Sequence, residues 1–214
     1  MFYGNRIPYE FFVTTGKGES NNGCEFLPYE TGSYDAALTD AGIENANIIE
    51  YSSVMPPIAK QITKEEGLKR VKWGEVMEVI KASANGNNGE RLSAAVIVTS
   101  VHDPSGKYLG GFACEYAGHM YKSEVEESLL RSVEGMIERR GYGVVHGGMK
   151  MYQKNITNLG FVIQPGSIFE YQEIEKVKQK HGSVLVALCF VSHKFPKQKT
   201  VKRKLRLSRT KSKF

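Results

Sequence analysis

Three apolar runs of strand length stand in the middle of the chain, and they restrict the fold more than any other feature. Gly74–Ala82, Leu92–Val101 and Tyr108–Tyr116 read as strands, and the pieces between them, "NGNNGE" and "HDPSGK", read as turns. Consecutive strands on short connections lie antiparallel, and a sheet of that kind must cover one face. The cover is visible further on. "SEVE" at Ser123–Glu126 reads as a capping box that opens a long amphipathic helix. Val125, Leu129, Val133, Met136 and Ile137 line its apolar face, and Gly141 closes it.

The rest of the chain extends this pattern. Ile7–Thr15 reads as a first strand, followed by the polar, glycine-containing "GKGESNNG". That stretch lacks the GxxxxGK[ST] spacing of a phosphate loop. "SYDAALTDAG" reads as a short helix, with Ser33 as N-cap and Gly42 as the terminal glycine. A strand over Ala46–Tyr51 follows, then a second helix is expected over Phe169–Lys180 and a last strand over Ser183–Val191. Helices laid on antiparallel strands make an α+β layered domain.

Charge divides the chain in two. The formal net charge is +6, but Lys194–Phe214 holds ten Lys or Arg and no acid, which leaves residues 1–193 with 19 basic against 23 acidic side chains, a net charge of −4. We therefore expect one domain over 1–193 and a basic extension over 194–214 that buries too little apolar surface to fold. No apolar run approaches the roughly 18 residues that span a bilayer, so no membrane partner is expected. The first residues, "MFYGNRIPYEFF", lack the basic-then-apolar order of a secretory signal, and the default location is the cytoplasm. Cys24, Cys114 and Cys189 form neither a CxxC pair nor a Cys/His spacing, so neither a disulfide framework nor a metal site is expected.

The chemistry centres on "NANIIEYSSVMPP", residues 45–57, where a strand-like run ends in Ser52 and Ser53. The two serines read either as ordinary turn residues or as a bond at which a chain cuts itself. Asn47, polar within an apolar run, serves either a local turn or a carbonyl oxygen that gains charge during acyl transfer. Glu115, in "LGGFACEYAG", alternates with Cys114 and Tyr116 and shares a face with Ala113 and Ala117. It is either an exposed residue on an edge strand or a partly buried acid with a raised pKa, suited to proton transfer. Asp35 either complements a helix N-terminus or faces a cationic ligand, for which a guanidinium fork is the best match.

Taken in order, these pieces resemble a known family. "GSYDAALTDAGIENANIIEYSSVMPP", residues 32–57, and "GGFACEYAG" resemble two blocks of the pyruvoyl-dependent arginine decarboxylases. "YGNRIP…TTGKGES" looks most like the chlamydial-type branch, and the likeness covers residues 3 to about 192. The resemblance implies a layered αββα sandwich, assembled as trimers or pairs of trimers with active sites between subunits. It implies that Ser53 Oγ attacks the Ser52 carbonyl, with Asn47 steadying the oxyanion. β-Elimination, tautomerisation and hydrolysis would then leave a pyruvoyl group at 53 and release ammonia, giving chains 1–52 and 53–214. That ketone would form a Schiff base with L-arginine, so neither pyridoxal phosphate nor a metal is needed. Asp35 would hold the guanidinium, Ser52 would lie in the substrate-binding site, and Glu115 would protonate the α-carbon to give agmatine. Two rivals stand beside this reading. One is a pyruvoyl decarboxylase of another amino acid. The other is a non-catalytic nucleic-acid-binding protein whose basic tail makes weak, sequence-blind polyanion contacts.

Overall fold

The computed structural model describes residues 5–21, 29–102, 107–140, 156–158 and 161–196. They form a mixed α+β fold dominated by two five-stranded sheets. In the first sheet, β11 (His181–Phe190) lies between β2 (Glu10–Ser20) and β6 (Val76–Asn87), antiparallel to both. Short parallel strands finish its edges: β3 (Asn47–Glu50) beside β6, and β5 (Lys60–Gln61) beside β2. The second sheet runs β4 (Val54–Met55), β8 (Tyr108–Gly118), β7 (Leu92–His102), β10 (Phe161–Ile174) and β9 (Ile156–Asn158). Its pairings are all antiparallel. β1 (Ile7–Pro8) pairs separately with β12 (His193–Lys194), so Lys194, the first residue of the expected tail, still belongs to a strand.

Alternation along the strands sends their apolar residues into three clusters. The first draws on both sheets, with Ile80, Val184 and Leu188 meeting Val96, Val98 and Ala113. In the second, Ile97, Phe112 and Cys114 meet Val125, Leu129 and Val133 of α3 (Lys122–Arg139). In the third, Phe12, Val79 and Leu185 meet Ala37 and Ala41 of α1 (Tyr29–Ala41). Each fully buried Val or Leu on these helix faces contributes roughly 1.5–3 kcal/mol. Among the described residues no helix is long and apolar enough to cross a membrane.

Four expectations are corrected. β2 does not stop at Thr15 but runs through "GKGES" to Ser20. Its glycines are there for packing: a Cβ on Gly16 would lie 2.0 Å from the Ala37 carbonyl oxygen, and one on Gly18 2.5 Å from Ala36 Cβ. The first helix starts at Tyr29, so Ser33 is not its cap. Ser33 Oγ is buried 2.7 Å from Ser183 Oγ, while Gly42, at φ 79°, does end the helix. The helix expected over Phe169–Lys180 is strand β10 as far as Ile174. Ile168 and Ile174 enter the inter-sheet core whereas Phe169 and Tyr171 face α3, which is a period of two that the many charges obscured. Finally, α3 begins at Lys122, one residue before the expected cap, and the Tyr121 N–H donates to Glu124 Oε2 at 2.8 Å. The Ile137 side chain, Gly141 and Cys24 lie outside the described residues.

Candidate active site

The Ser-Ser pair lies where the chain leaves one sheet for the other. β3 runs parallel to β6 in the first sheet, and the Tyr51 N–H extends that pairing to the Val79 carbonyl at 2.7 Å. Three residues later the chain is in β4, paired with Phe112 and Gly111 of the second sheet. Ser52 and Ser53 bridge the gap, and their small side chains let the backbone meet its own hydrogen bonds there. The Ser52 carbonyl accepts the Val54 N–H at 2.7 Å, and the Ser53 carbonyl accepts the Ala113 N–H at 3.0 Å. Tyr51 anchors the upstream side, with its ring 5.7 Å from that of Phe190 and its hydroxyl 3.5 Å from His193 Nε2.

Glu115 reaches this junction from β8. Phe112 and Cys114 turn toward α3 and Ala113 toward the inter-sheet core, so alternation puts Glu115 on the Ala113 side. It is half-buried there, not on an exposed face. Ser53 Oγ donates to its carboxylate and stands 3.1 Å from both Oε1 and Oε2. Burial is the largest influence on Glu115 and raises its pKa above the ordinary 4.5. The Ser53 hydrogen bond opposes that shift, and the charge of Glu50 adds to it. Glu50 is itself paired with Lys81 at 3.1 Å. Burial works against the Lys81 charge, yet the Tyr34 hydroxyl at 2.7 Å and then Glu50 hold its pKa above the lysine value. A hydroxyl resting on a carboxylate whose pKa is raised by burial is an arrangement for moving a proton.

The other expected site residues lie elsewhere in the chain. Asp35 is exposed on α1, the helix packed against the first sheet, away from the inter-sheet side that carries Glu115. Asn47 is exposed at the start of β3, and its amide donates to the Gly74 carbonyl at 2.9 Å. A strand rises about 3.3 Å per residue, so five residues of extended chain separate it from Ser52. Ser52 is exposed at the junction. Two groups absent from the sequence reading, the N–H groups of Val54 and Ala113, are at the junction instead. Both belong to the backbone, and no residue type signals them.

Comparison with known proteins covers the stretch of chain that holds these residues. The family model described as pyruvoyl-dependent arginine decarboxylase matches residues 10–195. A protein named pyruvoyl-dependent arginine decarboxylase AaxB, from Chlamydia caviae, is 29% identical over 207 residues, covering 94% of this chain and all of that protein. Its namesake from Chlamydia trachomatis serovar D is 36% identical over 197 residues, covering 90% of this chain and 95% of its own. Pyruvoyl-dependent arginine decarboxylase 2 of Archaeoglobus fulgidus is 31% identical over 165 residues, 73% of this chain and 98% of that protein.

Proposed function

The chain belongs to the pyruvoyl-dependent arginine decarboxylases, and from that membership we propose that it cuts itself between Ser52 and Ser53 and then converts L-arginine to agmatine and carbon dioxide. The observation that carries the reading is the hydrogen bond from Ser53 Oγ to the Glu115 carboxylate. A serine hydroxyl is a weak nucleophile, and a base within hydrogen-bond reach is the usual remedy.

In this reading Glu115 takes the Ser53 proton as Oγ attacks the Ser52 carbonyl carbon, and the amide becomes an ester. Elimination across residue 53 frees the Ser52 carboxylate, and hydrolysis with loss of ammonia leaves a pyruvoyl group at 53. The surroundings fit such a group, because the carbonyl of residue 53 is already fixed by the Ala113 N–H. The pyruvoyl group supplies an electrophilic carbonyl for the substrate amine and a sink for the electrons left by departing carbon dioxide. The chain's own residues do the rest. Glu115, whose pKa burial raises, delivers the proton to the α-carbon. The Ala113 N–H holds the residue 53 carbonyl through both stages. Ser52 lies beside the reacting centre, and Asp35 presents a carboxylate to the guanidinium.

Asp35 sits on a different layer from Glu115, so one chain does not supply the whole site. We place the guanidinium subsite on a neighbouring copy, in a trimer or pair of trimers of αββα sandwiches. Asn47 has a part in processing only if a neighbouring copy supplies it. The carbonyl comes from the chain itself, so the reaction needs neither pyridoxal phosphate nor a metal.

Intact-mass analysis tests this reading. The purified protein should consist of chains 1–52 and 53–214, the larger one blocked at its N-terminus by a pyruvoyl group. Ser53→Ala should remain one chain without activity. Full decarboxylase activity from a single uncut chain would overturn the reading.

A further inference from the structure

We propose that the backbone N–H of Val54 is the oxyanion donor for self-cleavage, so that the residue after the nucleophile supplies the stabilising contact from within the same chain. The inference rests on the self-cleavage reading above and deepens it.

Three hydrogen bonds fix the scissile region. The Val54 N–H reaches back over Ser53 to the Ser52 carbonyl at 2.7 Å, the Ala113 N–H holds the Ser53 carbonyl at 3.0 Å, and Glu115 holds Ser53 Oγ at 3.1 Å. Val54 lies opposite Phe112 at a non-hydrogen-bonded position of the β4–β8 pair, so its N–H faces away from β8 and goes to the Ser52 carbonyl.

The electron count follows from that geometry. The Ser53 Oγ–Ser52 carbon bond forms and the Oγ proton passes to Glu115. The carbonyl pair moves onto the Ser52 oxygen, which becomes an alkoxide. This oxygen already accepts the Val54 N–H, so the donor is in place before charge develops and needs no reorganisation. Collapse restores the carbonyl and breaks the bond from the Ser52 carbon to the Ser53 nitrogen. The nitrogen takes the proton from Glu115, leaving an ester and a free amine at residue 53. Nothing is oxidised or reduced, and no co-reactant is consumed. The Asn47 amide, bonded to Gly74, is not available to this carbonyl within the chain.

A backbone ester deletes the donor while keeping the side chain. The full chain is translated in vitro with 2-hydroxy-3-methylbutanoic acid at position 54, replacing the Val54 N–H by oxygen. A second chain carries lactic acid at position 113, which removes the hydrogen bond to the Ser53 carbonyl and leaves the Val54 N–H intact. The second chain is needed because an ester at 54 also weakens the Ser53 carbonyl as an acceptor. Thermal melting establishes that both are folded, and intact mass follows the cut and distinguishes scission at 52/53 from hydrolysis of the introduced ester.

The 54 ester should cut about 100-fold more slowly than the parent, the loss typical of one oxyanion donor. The 113 ester should be slower by about 10-fold or less, the worth of one neutral hydrogen bond. Equal slowing of the two esters, or a 54 ester that cuts at the parental rate, overturns the proposal. A parent chain that never cuts is a separate result, which removes the self-cleavage reading itself.

Discussion

Replacing Glu115 by glutamine separates proton transfer from shape. Glutamine has the same volume, and its amide oxygen can still accept the Ser53 hydroxyl, which stands 3.1 Å from both carboxylate oxygens. It cannot take a proton from that hydroxyl. Losing a positioned acid or base costs about 10²–10⁴-fold, or about 3–5 kcal/mol of barrier at 1.36 kcal/mol per tenfold. The resemblance assigns Glu115 only to turnover, with cleavage proceeding normally in the variant. The contact with uncut Ser53 adds a part in cleavage, so Glu115→Gln should slow both steps. Burial, the largest influence, raises the carboxyl above 4.5 in the folded chain, so the parental cleavage rate should fall as pH drops through that raised value. The variant should lose this inflection. Stability runs the opposite way with pH. An acid with a raised folded pKa contributes stability that is fully present below about 4.5 and lost as pH rises through the folded value. The variant should therefore gain on the parent as pH rises. Cleavage is read by intact mass across pH, turnover by carbon dioxide release from cleaved protein, and stability by denaturant midpoint. A variant that cuts at the parental rate with the parental pH dependence would refute the role in cleavage, and normal turnover would refute the role in protonation.

Asp35→Asn should raise KM for arginine by about 30- to 5,000-fold, equivalent to the roughly 2–5 kcal/mol cost of an unpaired guanidinium in a desolvated contact, with self-cleavage little changed; an unchanged KM would assign Asp35 to helix α1 alone. Gly16→Ala should destabilise the fold by about 1–3 kcal/mol, since the new Cβ would lie 2.0 Å from the Ala37 carbonyl oxygen; a parental denaturation midpoint would contradict this packing. Truncation after Pro196, which spares the pairing of Lys194 with Ile7, should leave cleavage and turnover intact and abolish any retention on DNA. If six tail cations meet phosphates, log affinity of the full chain should fall with log salt at a slope of about −5, and loss of cleavage on truncation would place the tail within the fold.

Much of the fold was legible in the sequence. The strands β6, β7, β8 and β11, the apolar face of α3 and the glycine that ends α1 follow from periodicity and local backbone preference, both carried by neighbouring residues. The family was legible too, because its blocks are ordered strings of residue types. Where local cues conflict, the reading fails. The charges of "EIEKVKQK" hid β10, whose alternation is enforced by β7 on one side and by α3 and the inter-sheet core on its two faces. The glycines of "GKGES" imitated a loop because the helix they make room for comes some twenty residues later.

The amino-acid order by itself determined which groups are available: a serine pair, a carboxylate in an apolar strand and an aspartate on a short helix. Only the tertiary structure decided which of them meet. Ser53 and Glu115 are 62 positions apart and touch because the chain changes sheets at the serines and enters the second one beside β8. The Val54 and Ala113 N–H groups exist at almost every residue of any chain, so their direction at Ser52 and Ser53 is written in no residue type. Side-chain chemistry is local and can be read along a sequence, whereas the aim of a backbone donor is set by the packing of strands that are distant along it.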